Sequence, residues 1–402
     1  MSVTGIISEF NPFHRGHAVP IRAARQVMGE DGHVVCLMSG NCVQRGDLAI
    51  FHKLARAEAA VRAGADLVIE LPTPYVLGSA EPFAGGGVAL LAALGLPDTR
   101  LAFGCESADG TALMETAKLL DAKETQEAIV REMANGLSYG AACQRALDTS
   151  GDLGALIQTP NNILAIEYLR AIRRLGADIT PLPVKRQGAA HDSAVPEGEY
   201  ASATYLRTLL RQGATADTWS YMPATAADIF RRELEAGRSS AGMEQLETTV
   251  LSLLRLQNPP DAGYLDDSEG LSNRIISAAR EAGSYKDLLE QAKTKRYHLS
   301  RIRRLILSIC LSLTPDDRPS TPPYIRPLAA NKAGQTLLRR MSKTASFPIL
   351  TRPGEVKRLG ETARRIFAIE CAVTDLQALC FEPISHRRGG SEWRERPRLI
   401  EG

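Results

Sequence analysis

Hydrophobic positions change their period along this chain. Short apolar runs recur through the first hundred residues, at Ile6-Ile7, His33–Met38, Leu67–Leu71 and Leu101–Gly104. Segments of helical spacing separate them: Ile21, Ala24, Val27 and Met28 after Gly16, then Lys53–Ala63, then the small apolar stretch Gly85–Leu94. Strands alternating with helices predict an α/β protein with a doubly wound parallel sheet. Polar helical spacing over 110–150 predicts an inserted helical pair. Thr180–Val184 reads as a fifth strand weakened by its prolines, and Gly188–Gly198 as a flexible turn. From about Thr215 the strand signals stop. Ala226–Ala236, Met243–Leu256, Leu271–Ala282, Ser300–Leu313, Gln335–Lys343 and Glu355–Ile369 are amphipathic helical patterns around a proline-rich loop, Pro315–Pro327. The expected division is therefore an α/β part, 1–212, and a mainly helical part, 213–402. The basic stretch His386–Gly402 is expected to be poorly ordered unless RNA or another domain holds it.

Composition narrows the class. With 402 residues, 44% apolar and 23% charged, the chain has the make-up of a soluble globular protein large enough for two or three domains. Met1–Gly5 has no basic leader pattern, and no apolar run is long enough to span a bilayer, so a cytoplasmic protein is expected. Seven scattered cysteines without a Cys-x-x-Cys pair suggest free thiols and no structural zinc. Net charge is only +2, but residues 286–402 carry 23 Lys/Arg against 12 Asp/Glu, leaving −9 on the remainder. A basic C-terminal part points to a polyanion partner, although a solvated helical surface has the same signature.

Candidate chemistry concentrates after the first strand. Asn11-Pro12 stops that strand, and a helix opens beyond His14-Arg15-Gly16-His17. A helix mouth offers free N–H groups and a positive dipole end to an anion, and Gly16 permits close approach of a phosphate. Two imidazoles beside it can stabilise a phosphate whose charge grows during substitution. Ser202-x-Thr204-x-x-Arg207 opens a later helix and brings two hydroxyls and a planar cationic fork to one anion; an ordinary N-cap is the plain alternative. Lys185-Arg186 follows the fifth strand and suits triphosphate or RNA, unless it is a solvated strand end. The turn Met38–Gly46 offers Ser39, Asn41, Gln44 and Arg45 to a small anion or a base edge. Cys42 is an improbable nucleophile, with no histidine near it in sequence. Asp66 reads as turn chemistry and Glu70 as facing the ligand crevice.

His14-x-Gly16-His17 resembles the His-x-Gly-His signature of the nucleotidyltransferase superfamily, and Ser202–Arg207 resembles its late Ser-x-Thr-x-x-Arg phrase. The longer wording is similar to the tRNA(Met) cytidine acetate ligase family. The matching phrases are Gly5–His17, Met38–Gly46, Gly64–Pro72, Phe103–Glu106, Pro160–Leu169, Lys185-Arg186, Ser202–Arg207 and Ser300–Arg304. Cys42 and Cys105 depart from it, standing where an aromatic residue and a serine are expected. The resemblance implies a Rossmann-like ATP-binding domain followed by a helical tRNA-binding part. The implied activity is ATP-dependent activation of acetate as acetyl-adenylate, then acetyl transfer to the wobble cytidine of elongator tRNA(Met). It implies that His14 and His17 act on the α-phosphate. The nucleotide would be wrapped by Ile7, Ser8, Glu9, Phe10, Asn11, Pro12, Phe13, Arg15, Gly16, Ala18, Val19 and Pro20. Gly104, Asn162 (or its neighbour Asn161), Arg186 (or Lys185), Ser202, Thr204 and Arg207 would complete that site. RNA would meet Ser39, Asn41, Gln44, Arg45, Lys185, Arg301, Arg303 and Arg304. Magnesium is expected with ATP, without a dedicated carboxylate cage. Two other classes stay open: a small-molecule adenylyltransferase of the same fold, and a non-catalytic RNA-binding protein.

Overall fold

Among the described residues the computed structural model has nine strands: β1 Val3–Ser8, β2 His33–Ser39, β3 Cys42–Val43, β4 Asp47–Leu48, β5 Leu67–Leu71, β6 Thr99–Cys105, β7 Ile179–Lys185, β8 Pro327–Ala330 and β9 Arg398–Leu399. Residues 2–401 are described, apart from 30–31, 108, 149–150, 187–194, 258–262, 269 and 295–296. Of the turn expected at Gly188–Gly198, residues 188–194 lie outside the described residues.

Seven strands form one sheet in the order β7-β6-β1-β2-β5-β8-β9, and β3 pairs with β4 in a separate small hairpin. From β7 to β5 every pairing is parallel. The chain builds outward from β1 through β2 to β5, then returns to β1's other edge with β6. The reversal makes a switch point at the carboxyl ends of β1 and β6, where open α/β sheets bind ligands.

Both faces of the sheet are covered, which is why its strands read as continuous apolar runs. Val35, Leu37, Ile69, Leu101 and Phe103 point into one core cluster, while Ile6, Val34, Cys36, Met38, Val68 and Ala102 alternate into another. The second face is covered by α1 (Arg15–Met28) and α2 (Lys53–Arg62). The short α3 (Thr73–Val76) leads to α4 (Ala80–Ala93) on the first face. There Gly87 lets α4 lie close to β1, since a Cβ at this position would come within 2.5 Å of Ile7.

The inserted segment holds three helices rather than a pair: α5 Gly110–Asp121, α6 Lys123–Ala134 and α7 Tyr139–Leu147. The four-residue α8 (Asp152–Ala155) leads to α9 (Pro160–Leu175), which packs on α4. After β7 come α10 Ala203–Arg211, α11 Ala216–Ser220, α12 Ala224–Glu235, α13 Glu247–Arg255, α14 Leu271–Glu281, α15 Tyr285–Ala292, α16 Leu299–Cys310, α17 Lys332–Thr344 and α18 Glu361–Ala378.

One expectation for the C-terminal part is corrected. Strand structure does not stop at Thr215, because β8 adds antiparallel to β5 and carries β9 beside it. The stretch after His386 meets the exception in its expectation, being held by the rest of the chain: Glu392 is fully buried, and Ile400 donates its N–H to Ala330 O at 2.9 Å. Glu392 pairs with Lys53 and Arg326. Glu70 belongs to the same enclosed cluster, accepting from Lys53 Nζ at 2.6 Å, and so does not face the crevice. Asp66 does serve a junction: its carboxylate accepts from Val34 N at 2.8 Å and from Asn331 Nδ2 at 2.9 Å.

Candidate active site

A cavity of 480 Å³ opens at the switch point, and residues from many regions of the chain line it. The end of β1 and the segment beyond it contribute Ile7, Ser8, Glu9, Phe10, Asn11, His14, Gly16, His17, Val19 and Pro20. Gly104 near the end of β6, Lys185 at the end of β7 and Arg186 just beyond it also line it, joined by the N-cap Ser202 and by Thr204 and Arg207 of α10. These groups lie far apart in sequence and meet because the sheet aligns its carboxyl ends.

Local hydrogen bonding orients the two histidines. His14 is the N-cap of α1, and its Nδ1 accepts from Gly16 N at 3.1 Å. His17 Nδ1 accepts from His14 N at 3.3 Å, closing a reciprocal capping box. Each Nδ1 is thus an acceptor, which places the proton of a neutral ring on Nε2. The rings lie 3.8 Å apart between centroids, packed against Phe10 and Phe13. The pair therefore presents donors at the positive end of α1, the arrangement an anion requires.

Arg207 connects this loop to α10. Its Nη1 donates to Asn11 O at 2.8 Å and its Nη2 to Thr204 Oγ1 at 3.0 Å, while Ser202 caps the helix through Tyr205 N at 3.0 Å. Burial and the neighbouring Arg45 push the Arg207 guanidinium down to about 10. Burial raises the Glu9 carboxyl, although Gln44 N–H, Arg207, Arg56 and Arg45 oppose this. Glu9 Oε1 accepts from Gln44 N at 2.5 Å. Cations thus crowd one side of the cavity, where a polyphosphate would relieve their mutual repulsion.

Several expected site residues lie elsewhere. Pro12, Phe13, Arg15 and Ala18 do not line the cavity; Phe13 and Ala18 belong to the core, and Arg15 pairs with Glu199 at 2.7 Å. Asn162 caps the loop after β6, accepting from Glu106 N at 3.0 Å and Ser107 N at 3.1 Å. Its neighbour Asn161 lines the cavity and accepts from Arg186 Nη1 at 3.1 Å. Ser39 and Asn41 are buried away from it, Asn41 bridging Lys53 N at 2.7 Å and Thr374 Oγ1 at 2.9 Å. Gln44 and Arg45 do line it. The basic phrase on α16 divides: Arg303 reaches the cavity, Arg304 donates to Gln44 O at 3.3 Å, and Arg301 stacks on Tyr297. Cys42 is buried and its thiol is pushed up by that burial, which excludes it as a nucleophile at neutral pH.

Sequence reasoning missed three groups. Arg56 is fully buried and donates to the carbonyls of Glu9, Ser39, Gly40 and Phe51, holding the ends of β1 and β2 together. Arg211 lies one turn beyond Arg207 on α10 and was findable from that spacing. Asp47, Glu244, Tyr285, Lys286 and Leu289 complete the far wall with no sequence signal of their own. Among the described residues no group of three or more His, Cys, Asp or Glu side chains could hold a metal ion. No described helix is long and apolar enough to cross a membrane.

A doubly wound sheet whose switch point carries paired histidines at a helix mouth defines a nucleotidyltransferase-type site. A family model described as HIGH Nucleotidyl Transferase matches residues 1–392. A tRNA(Met) cytidine acetate ligase of Acetivibrio thermocellus is 37% identical over 413 residues, covering 98% of each chain. A crystal structure of Thermotoga maritima TmcAL (apo, form I) superposes with a TM-score of 0.94 at 30% identity, and one bound with alpha-thio ATP (form II) with 0.92 at 30%; both cover 100% of each chain. The chain belongs to the HIGH nucleotidyl transferase family and, within it, to the tRNA(Met) cytidine acetate ligases.

Proposed function

We propose that this chain uses ATP to activate acetate and passes the acetyl group to the wobble cytidine of elongator tRNA(Met). The observation that carries this reading is the closely packed His14–His17 pair, with both Nδ1 atoms occupied by backbone N–H groups in a cavity that also holds Arg207. An acetate oxygen attacks the α-phosphorus and pyrophosphate leaves. Acetate is already ionised at neutral pH, so this step needs alignment and charge stabilisation rather than a general base. The Nε2–H donors of His14 and His17 supply that stabilisation at the α-phosphate, and Arg207 neutralises the departing end. The cytidine amine then attacks the carbonyl carbon of the mixed anhydride. The carbon–oxygen bond to AMP breaks, and the nitrogen gives up one proton to solvent.

Residues 1–212 would carry the chemistry and the basic helical part would bind tRNA phosphates. As no group of three or more His, Cys, Asp or Glu side chains among the described residues could hold a metal ion, magnesium would be held mainly by the triphosphate and water. An enzyme acting on tRNA would work in the cytoplasm. The test is incubation with ATP, labelled acetate and bulk tRNA. Label should enter RNA nucleosides and vanish without ATP or in His14→Ala. Nucleotide transfer to a metabolite without RNA would favour a small-molecule adenylyltransferase, and RNA retention without ATP turnover a binding protein.

A further inference from the structure

The cavity has a second end that the nucleotide machinery does not use. Tyr285 and Lys286 at the start of α15, Leu289 one turn on, Glu244, and Arg303 of α16 line it around the Asp47–Arg211 pair. Tyr285 is only 6% exposed, and among the described residues no partner reaches its hydroxyl. A buried phenolic O–H left unpaired costs free energy and normally finds a partner. Around it, in addition to the Cys310 thiol, stand the charged groups Asp47, Arg303 and Glu244. Asp47 is committed elsewhere, accepting from Met243 N at 2.8 Å and pairing with Arg211 at 3.5 Å.

Chemistry constrains what can enter this end. In the acetyl-transfer reading, on which this inference rests, the amine must touch the anhydride carbonyl while AMP still occupies the first end. A nucleobase therefore has to be extruded from the anticodon loop into the same cavity. We propose that the Tyr285 hydroxyl, with Lys286 and Arg303, forms the acceptor subsite for a single extruded pyrimidine nucleotide. The hydroxyl donates to the base's ring-acceptor edge, Leu289 supplies apolar contact, and the two cations take the flanking phosphates. The exocyclic amine is thereby left facing the histidine end.

The test is Tyr285→Phe, which removes one oxygen from a position where it has no protein partner. The variant should melt at or above the wild-type temperature, because an unpaired buried hydroxyl is removed. Its kcat/KM for tRNA should fall about tenfold, the worth of one hydrogen bond, while KM for ATP in acetate-dependent pyrophosphate exchange stays put. Arg303→Gln should weaken tRNA binding and lower its salt slope by about one. Unchanged tRNA kinetics in Tyr285→Phe overturn the subsite. So does a raised KM for ATP, which would put the hydroxyl on the nucleotide, or a lowered melting temperature accounting for the loss. Absence of both exchange and transfer in the wild type would instead sink the parent reading, and the subsite with it.

Discussion

His14 does two jobs at once, and they can be separated. Its Nδ1 caps α1 by accepting from Gly16 N, while the opposite edge of the ring is the donor assigned to phosphate. Asparagine is among the best N-cap residues and accepts the same bond, but it does not reproduce the imidazole Nε2–H. His14→Asn should therefore keep its melting temperature within a few degrees and lose about 10²–10³-fold in acetate-dependent ATP–pyrophosphate exchange. A full loss of folding would mean that the ring is chiefly structural. Residues of this kind were legible because motif and spacing lie in one short stretch. Asn161 and Asn162 show the limit. Both stand at the start of α9, and only the folded loops decide that Asn161 reaches Arg186 while Asn162 binds backbone. Tyr285 gave no signal at all, because an aromatic residue opening an amphipathic helix has the pattern of ordinary core.

At the scale of elements, β1, β2, β5 and β6 were legible because a sheet covered on both faces demands unbroken apolar runs flanked by helices, while β7, an edge strand with two prolines, carried a weaker signal. Strands β8 and β9 were not, because four residues beginning with proline and two residues inside a basic stretch carry no period. The docking of α16 was equally hidden, and it hinges on one glycine. Gly46 sits between β3 and β4 with φ +75°, where its Cβ would stand 2.3 Å from Arg304 N. Ala here meets both a left-handed backbone and the backbone of α16, neither of which can yield. Gly46→Ala should destabilise the protein by about 2–4 kcal/mol. It should also move Arg303 relative to the cavity, so tRNA kinetics suffer more than ATP binding. Denaturant melts and the two half-reactions check this. A variant as stable as wild type would show that α16 is free to shift.

The whole molecule is closed by a buried ionic cluster joining the sheet, α2, α18 and the stretch after His386. Lys53 and Arg326 face Glu70 and Glu392, with Glu370 beside them accepting from Thr73 N at 2.6 Å. The +11 of residues 286–402 points to a polyanion partner or to a solvated helical surface; part of it, Arg326, is spent inside instead. Three carboxylates against two cations leave one negative charge too many for a dry interior, and Glu370 takes up the difference. Burial and the nearby Glu70 push its carboxyl up to about 8, from an ordinary 4.5. Burial works against Glu392 too, but Lys53 and Arg326 hold it at about 2. Between pH 4.5 and 8 the native state keeps a proton on Glu370 that the unfolded chain has released. Its contribution to stability is thus complete below the unfolded value and is lost as pH rises through the folded one. Glu392 behaves in the opposite sense, losing its contribution only as pH falls towards 2, so it is silent in the alkaline window. Glu370→Gln keeps an acceptor for Thr73 N and stays neutral at every pH. Melting temperatures from pH 6.5 to 9 should therefore fall more steeply for wild type than for Glu370→Gln, by the equivalent of about 1–2 kcal/mol across the range. Parallel curves would mean that Glu370 is ionised throughout, and that the cluster carries its excess charge without a proton.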